Sequence, residues 1–412
     1  MAQQKRKRRA ATRRLKLAKQ GQYYDYNLLA SVILLTCFGL VMLYSTSAYE
    51  AQVQFGDDMY YFSKQALISA GCLVLVLIFS QIDYHIFVRF AGPIYVVANI
   101  MLFLTKFIGR EVNGAKRWIY FGPISFQPAE LAKLAIILFI PTLIVKLGKN
   151  MRGWKAPAVV LGFGGFTSLL TWQFTDNLST AVIIGGITVI LIFVAHPKTK
   201  PFIIGGTILL TTVVVGMRAL VSMMGTSDSF RLNRILVWMD PESYGSLGGY
   251  QIMQALYAIG SGGFFGKGLG NSAQKLGALP EAQNDMIFSI VCEELGVFGA
   301  GMLTLMFLFL LYRLMFIAQN APDLMGSLIV TGIFGHIALQ VVLNIAVVIN
   351  VIPTTGVTLP FVSYGGTSIL FLMAEMGLAL SVSGQIKFQE ARAAGIQAND
   401  TRTTTRTRTR SI

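Results

Sequence analysis

The stretch "GALPEAQNDMIFSIVCEELG", residues 277–296, changes character in its middle. Up to Asp285 it is polar, with Pro280 and two carboxylates, Glu281 and Asp285. From Met286 it is apolar, yet Glu293 and Glu294 sit side by side within it. What those acids do depends on what the apolar segment is, and the composition around it decides that. Of 412 residues, 54% are hydrophobic and only 13% charged. A soluble domain carries about 25% charged residues. The deficit is too large for a big soluble core and indicates a polytopic membrane protein. The apolar segment is then a membrane helix, with Asp285 at its mouth.

A bilayer core needs about 20 apolar residues per helix. Ten segments qualify: roughly 27–48, 66–81, 87–108, 129–147, 157–172, 178–195, 201–222, 286–313, 324–350 and 367–385. The fold expected is therefore an all-α bundle of ten transmembrane helices. Its parts are a basic tail (1–24), the membrane domain (25–385) and a second tail (386–412). With both termini inside, 23 Lys and Arg fall in cytoplasmic segments and 10 outside, Lys133 lying within a span. That asymmetry follows the positive-inside rule. It also accounts for the net charge of +15 as topology signals held near anionic lipid, without a nucleic-acid partner. No cleavable signal peptide is expected, because the basic N-terminus leads into a full-length span without a small-residue cleavage site. Cys37, Cys72 and Cys292 all fall in spans and form no disulfide or metal framework. His85, His196 and His336 are scattered. No cofactor is expected, although the sequence leaves a divalent cation open.

Residues 223–285 form by far the longest connection, placed outside by this topology. Loops of such length are functional or disordered, and this one is not of low complexity. "GYQIMQALYAIG" (249–260) sets Ile252, Leu256 and Ile259 on one helical face and Gln251, Gln254 and Ala258 on another. It is too short to span and fits an interfacial or re-entrant helix. "GSGGFFGKGLGN" (260–271) lacks the Ser or Thr after Lys267 that a Walker loop requires, and no βαβ unit surrounds it. Two readings remain: a backbone offering N–H groups to an anion, or a tight turn between helices.

Charges within spans are costly and usually face a cavity. Glu130 and Lys133 open the fourth span, three residues apart on one face, and can pair. Glu293, Glu294 and Glu375 lie deeper. Such groups serve ion-coupled transport or join helices as structural pairs. Among the outer acids, Asp240 in "MDPES" reads as a cap, and Glu281 after Pro280 suits a first helical turn. Asp285 differs. Met286, Ile287 and Phe288 follow it, and partial desolvation would raise its pKa toward the neutrality that a general base requires. Helix capping is the alternative.

Three stretches together resemble one family. They are "NGAKRWIYFGPISFQPAELAK" (113–133), "GYQIMQALYAIGSGGFFGKGLGNSAQKLGALPEAQNDMIFSIVCEELGVFG" (249–299) and "IPTTGVTLPFVSYGGTS" (352–368). They resemble the SEDS proteins (shape, elongation, division and sporulation). The match is closer to the division and sporulation members, FtsW and SpoVE, than to RodA. The resemblance implies a peptidoglycan glycosyltransferase of the bacterial plasma membrane that polymerises lipid II at the outer face, at the division septum or in sporulation. It implies a class B penicillin-binding protein as the crosslinking partner, with other divisome proteins around it. The family's essential acid corresponds to Asp285. Where many members carry His-Thr before it, this chain has Gln283 and Asn284. The family's Pro-Asp-Leu-Gly-Thr stretch is here "TDNLST", with Asn177 at the acid position and Asp176 beside it. A departing pyrophosphate needs positive charge or N–H donors. Candidates are Arg110, Arg117, Lys133, Arg231, Arg234, Lys267 and Lys275, with Arg117 and Lys133 favoured because they lie in family-like motifs and Glu130 orienting Lys133. Gln251, Gly262, Gly263, Gly266, Gly268, Gln274 and Glu281 complete the candidate substrate surface. Glu293 and Glu294 are expected to be structural or cavity-lining. A lipid II flippase, lined by Glu130, Lys133, Glu293 and Glu375, and a non-enzymatic division scaffold are the alternatives.

Overall fold

A computed structural model describes residues 23–112, 115–122, 124–223, 230–245 and 248–386. Both tails lie almost wholly outside these residues. The chain begins with helix α1 (Tyr26–Phe55), N-capped by Asp25, whose carboxylate accepts the Leu28 N–H at 3.0 Å. Helices α2 (Tyr60–Gln81), α3 (Tyr84–Arg89) and α4 (Ala91–Ile108) follow. After a small sheet come α5 (Pro128–Leu147), α6 (Lys155–Thr175), α7 (Leu178–Ala195) and α8 (Lys200–Met223). Two shorter helices, α9 (Phe230–Met239) and α10 (Gly249–Gly262), precede α11 (Ile287–Asn320), α12 (Leu324–Val348) and α13 (Gly366–Ser383).

Among the described residues, eight helices are long and apolar enough to cross a membrane: α1, α2, α4, α5, α7, α11, α12 and α13. The other two expected spans are helices as well, α6 of 21 residues and α8 of 24. At 1.5 Å per residue each reaches the roughly 30 Å of a hydrocarbon core. α2 packs on α13, α4 on α5, α6 on α7, and α11 on α12. The face of the bundle where both described ends lie is tied by ions. Asp25 is buried and accepts from the Arg313 guanidinium, with Nη2–Oδ2 at 2.6 Å. The Tyr23 N–H meets the Ile386 carbonyl at 3.2 Å, joining the two ends of the described chain.

The all-α expectation needs one correction. Residues 110–126 form a three-stranded antiparallel sheet, β1 (Arg110–Val112), β2 (Ala115–Phe121) and β3 (Ile124–Phe126). Successive side chains of a strand point to opposite faces. In β2, Ile119 is buried and Tyr120 exposed, so Arg117 shares the inward face with Ile119.

The connection from α8 to α11 holds its helices where expected, but α10 packs on a different face. Ile252, Ala255, Ala258 and Gly262 are buried, while Leu256 is only half-buried. The small residues win because they let α10 approach α11 closely. A Cβ at Gly262 would stand 2.0 Å from the Cys292 carbonyl oxygen.

Candidate functional site

Asp285 sits just before the first turn of α11, half-buried. Its backbone carbonyl accepts from Asn344 Nδ2 of α12 at 2.8 Å, and the same nitrogen donates to the Val357 carbonyl at 2.7 Å. One amide thus fixes the mouth of α11 against the segment that links α12 to α13. The Tyr364 N–H donates to the Gln283 carbonyl at 2.9 Å and closes the other side. Gln283 Nε2 donates to Glu50 Oε2 of α1 at 2.9 Å.

α11, with Met286 at its N-cap position, has no side-chain cap, and Asp285 Oδ1 is buried with no hydrogen-bond partner. A point 1.5 Å off Gly356 Cα, where a Cβ would sit, lies 3.8 Å from Asp285 Oδ2 and 3.9 Å from Arg117 Nη1. Arg117 and Arg234 are both close enough to act on the carboxyl electrostatically. Arg117 reaches in from β2 and donates to the Asp176 carbonyl at 3.0 Å, while its Nε finds no partner. Arg234, on α9, donates to the Thr354 carbonyl at 3.2 Å. α9 is pinned to that segment a second time where Trp238 Nε1 donates to the Asn350 carbonyl at 3.1 Å. Four separate chain segments, at residues 117, 234, 285 and 354–357, therefore meet at one place.

Burial pushes the Asp285 carboxyl up to about 7, with the Glu281 carboxylate adding to the rise and the two guanidiniums working against it. Burial likewise presses Arg117 and Arg234 below the usual guanidinium range, in Arg117 with the help of Arg234. The pattern is an acid poised near neutrality beside two guanidiniums that burial also perturbs. Perturbed groups clustered in this way are a pointer to a functional site.

Lys133 lies one helical turn deeper, since its partner Gln340 is four residues before Asn344 on α12. Its Nζ sits 2.9 Å from Glu130 Oε1 and 3.1 Å from Gln340 Oε1. Gln340 also meets His336 Nε2 at 2.8 Å, and His336 Nδ1 meets Glu375 Oε2 at 2.8 Å. Glu130, Lys133, Gln340, His336 and Glu375 are all buried. They form one chain of bonded groups running from below Asp285 into the bundle.

The glycine loop has a different task. α11 breaks at Gly296 (φ 67°). The Lys267 and Gly268 N–H groups donate to the Glu293 and Glu294 carbonyls, both at 2.9 Å. In return, the Val297 and Phe298 N–H groups donate to Gly263 and Phe264, both at 3.0 Å. The loop thus satisfies the backbone groups that the break leaves open, as a buried backbone requires. Gly266 (φ 79°) is needed for contact as well as conformation: a Cβ there would lie 2.2 Å from the Glu294 carbonyl oxygen. Lys267 pairs with Glu293 at 2.7 Å and Lys275 with Glu294 at 2.8 Å. These two lysines, expected at a departing anion, are already neutralised, and Glu293 and Glu294 are structural pairs.

Of the remaining candidates, Gln251 Nε2 donates to the Pro280 carbonyl at 3.3 Å. The Gln274 carbonyl accepts from Leu279 N–H at 2.9 Å. Glu281 (φ 57°) accepts from Asn284 Nδ2 beside the site. Asn177 caps α7 by accepting the Thr180 N–H at 3.1 Å. The Arg231 side chain lies outside the described residues. No group of three or more His, Cys, Asp or Glu among the described residues is placed to hold a metal ion. Sequence reasoning misses Asn344, Gln340 and Gly356, and does not single out Arg234. The available signals are Asn and Gln four apart in an apolar helix, and the glycine of "PTTGV".

A family model described as cell cycle protein, covering FtsW, RodA and SpoVE, matches residues 25–387. Stage V sporulation protein E of Bacillus subtilis (strain 168) is 37% identical over 87% of this chain and 96% of its own. A probable peptidoglycan glycosyltransferase FtsW of Trichlorobacter lovleyi is also 37% identical, over 88% and 94%. Among solved structures, a chain of a peptidoglycan synthase complex that coordinates polymerization and crosslinking superposes with TM-score 0.71, at 26% identity. It covers 87% of this chain and 97% of that one. The rod shape determining protein RodA of Thermus thermophilus gives TM-score 0.61 at 26% identity over 87% and 96%.

Proposed function

The chain belongs to the FtsW, RodA and SpoVE family of cell-cycle membrane proteins, and from that premise we propose that it is a peptidoglycan glycosyltransferase that polymerises lipid II. The observation that carries the reading is the Asp285 carboxyl, its Oδ1 buried without a hydrogen-bond partner, held near neutrality by burial beside Arg117 and Arg234. Asp285 is the general base. It takes the proton of the acceptor GlcNAc 4-hydroxyl, whose oxygen attacks C1 of the donor MurNAc. The C1–O bond to undecaprenyl pyrophosphate breaks, and the α-linked donor becomes a β-linked product with inversion. Arg117 and Arg234 receive the charge that grows on the departing pyrophosphate, while Lys133, paired with Glu130 at 2.9 Å, braces the site from one turn below. An apolar cavity of about 660 Å³ between α1, α2 and the 269–275 segment, lined by Val41, Tyr44, Phe62 and Leu269, offers room for lipid chains.

The flippase alternative needs polar groups lining a path through the bilayer. Glu130, Lys133 and Glu375 are instead buried and bonded within one network, which favours a fixed support over a passage. The function is tested with purified protein and purified lipid II, with and without a class B penicillin-binding protein. Glycan strands are the expected product, and their absence under both conditions overturns the reading.

In the proposed topology the chain crosses the plasma membrane ten times, with both termini cytoplasmic and 223–285 outside, at the septum or in sporulation. Single cysteines placed at Gly245 and Gly270 are expected to react with an impermeant maleimide added to intact cells, and one placed at Asn150 only after lysis. Labelling of Asn150→Cys alone in intact cells contradicts this orientation.

A further inference from the structure

α12 is apolar around one residue. In "QVVLNIAVVI" (340–349), Asn344 stands among Val341, Val342, Leu343, Ile345, Ala346 and Val347, and it is 1% exposed. A polar side chain buried in such a helix is costly and calls for a reason. Its Nδ2 donates twice, to the Asp285 carbonyl at 2.8 Å and to the Val357 carbonyl at 2.7 Å. Its Oδ1 is buried without a partner. The amide is therefore kept for its two N–H bonds and not for a closed network of its own.

The two carbonyls are not equally secured. Segment 354–358 is held by three other side chains. Arg234 donates to the Thr354 carbonyl at 3.2 Å, and Ser179 Oγ of α7 to the Thr355 carbonyl at 2.7 Å. Gln340 Nε2, one turn before Asn344, donates to the Thr358 carbonyl at 3.0 Å. Asp285 lies between two anchors, the Tyr364 N–H on the Gln283 carbonyl and the first turn of α11. Asn344 holds the residue between them. Losing the amide thus frees Asp285 and leaves the segment it faces in place. On that segment Gly356 (φ 68°) meets the carboxyl. The point its Cβ would occupy lies 3.8 Å from Asp285 Oδ2 and 3.9 Å from Arg117 Nη1. One nitrogen therefore ties the residue that carries the carboxyl to the neighbour of the residue the carboxyl meets.

We propose that Asn344 is a positioning residue for glycosyl transfer: through the Asp285 main chain it fixes the carboxyl against Gly356 and Arg117. The inference rests on Asp285 being the base. Around the carboxyl stand Glu281, Arg117 of β2 and Arg234 of α9, and burial is the largest influence on its pKa. An Asp285 freed from Asn344 admits water to the carboxyl, which brings the pKa down toward its ordinary value. The plainer role, satisfying two buried carbonyls for stability alone, predicts no such change.

The test is steady-state polymerisation of purified lipid II between pH 5 and 9 by full-length protein. Wild type is compared with Asn344→Leu, which keeps the branched shape and removes the amide, and with Asn344→Ser, which keeps one donor. For Asn344→Leu the plateau kcat is expected to fall about 10²-fold, the effect of a displacement of about 1 Å. KM for lipid II is expected to hold, and the acid limb to move to lower pH. Asn344→Ser is expected to fall between the two. The position of the limb does not depend on how much of a sample is folded, so it separates positioning from stability. A limb that both variants leave at the wild-type pH overturns the proposal. So does a raised KM at unchanged kcat, which places Asn344 at the substrate, and so does failure of both variants to fold. A wild-type rate without an acid limb instead removes Asp285 as the base, and this inference with it.

Discussion

Asp285→Asn is expected to lower lipid II polymerisation by about 10²–10⁴-fold, the range that a general base contributes, in a protein that still folds and inserts. Asn is as good a helix cap as Asp, so a capping role would survive the change. The structure offers no cap to lose, because α11 has no side-chain cap and the held group of Asp285 is the backbone carbonyl bonded to Asn344. An amide cannot take the proton from the acceptor hydroxyl. Stability moves the other way. The Asp285 pKa is raised in the folded state, from an ordinary 3.8 to about 7. The carboxyl's contribution is therefore fully favourable below pH 4 and is lost as pH rises through 7. At pH 8 the Asn variant is expected to melt no lower than wild type, and lipid II binding, which needs no proton transfer, is expected to persist. Near wild-type turnover by Asp285→Asn removes Asp285 from the mechanism. A variant that melts far below wild type at pH 8 contradicts the account of its burial.

The helices are legible because a bilayer demands long apolar runs, and all ten expected segments are helical. The sheet at 110–126 is hidden because its strands are three to seven residues long and sit in what reads as a loop. The inward turn of Arg117 depends on that sheet. The packed face of α10 is missed because hydrophobicity marks Leu256, whereas close approach to α11 selects Ala255, Ala258 and Gly262. The glycines at 263–268 show that the backbone does something special there, but not that their N–H groups answer a break at Gly296. That requires knowing that two segments about thirty residues apart touch. Asp285 is legible from the change of polarity around it. Arg234 is legible only as one of seven candidate cations, because its approach depends on α9 being pinned to Asn350 and Thr354, over a hundred residues away.

The central claim, that Asp285 works as a base held near neutrality by burial against two guanidiniums, is tested most directly by the pH dependence of polymerisation. A base must be ionised to accept a proton, so the rate should rise with pH and level off above the Asp285 pKa. For wild type the acid limb is expected to turn near pH 7, with the rate falling about tenfold for each unit below it. Arg234 opposes the rise in the Asp285 pKa, so Arg234→Gln is expected to move the limb to higher pH as well as slow the plateau. Measured on purified lipid II between pH 5 and 9, a limb near 7 that shifts upward in Arg234→Gln is the predicted result. A wild-type rate that stays flat from pH 5 to 8, or a limb that Arg234→Gln leaves in place, contradicts it.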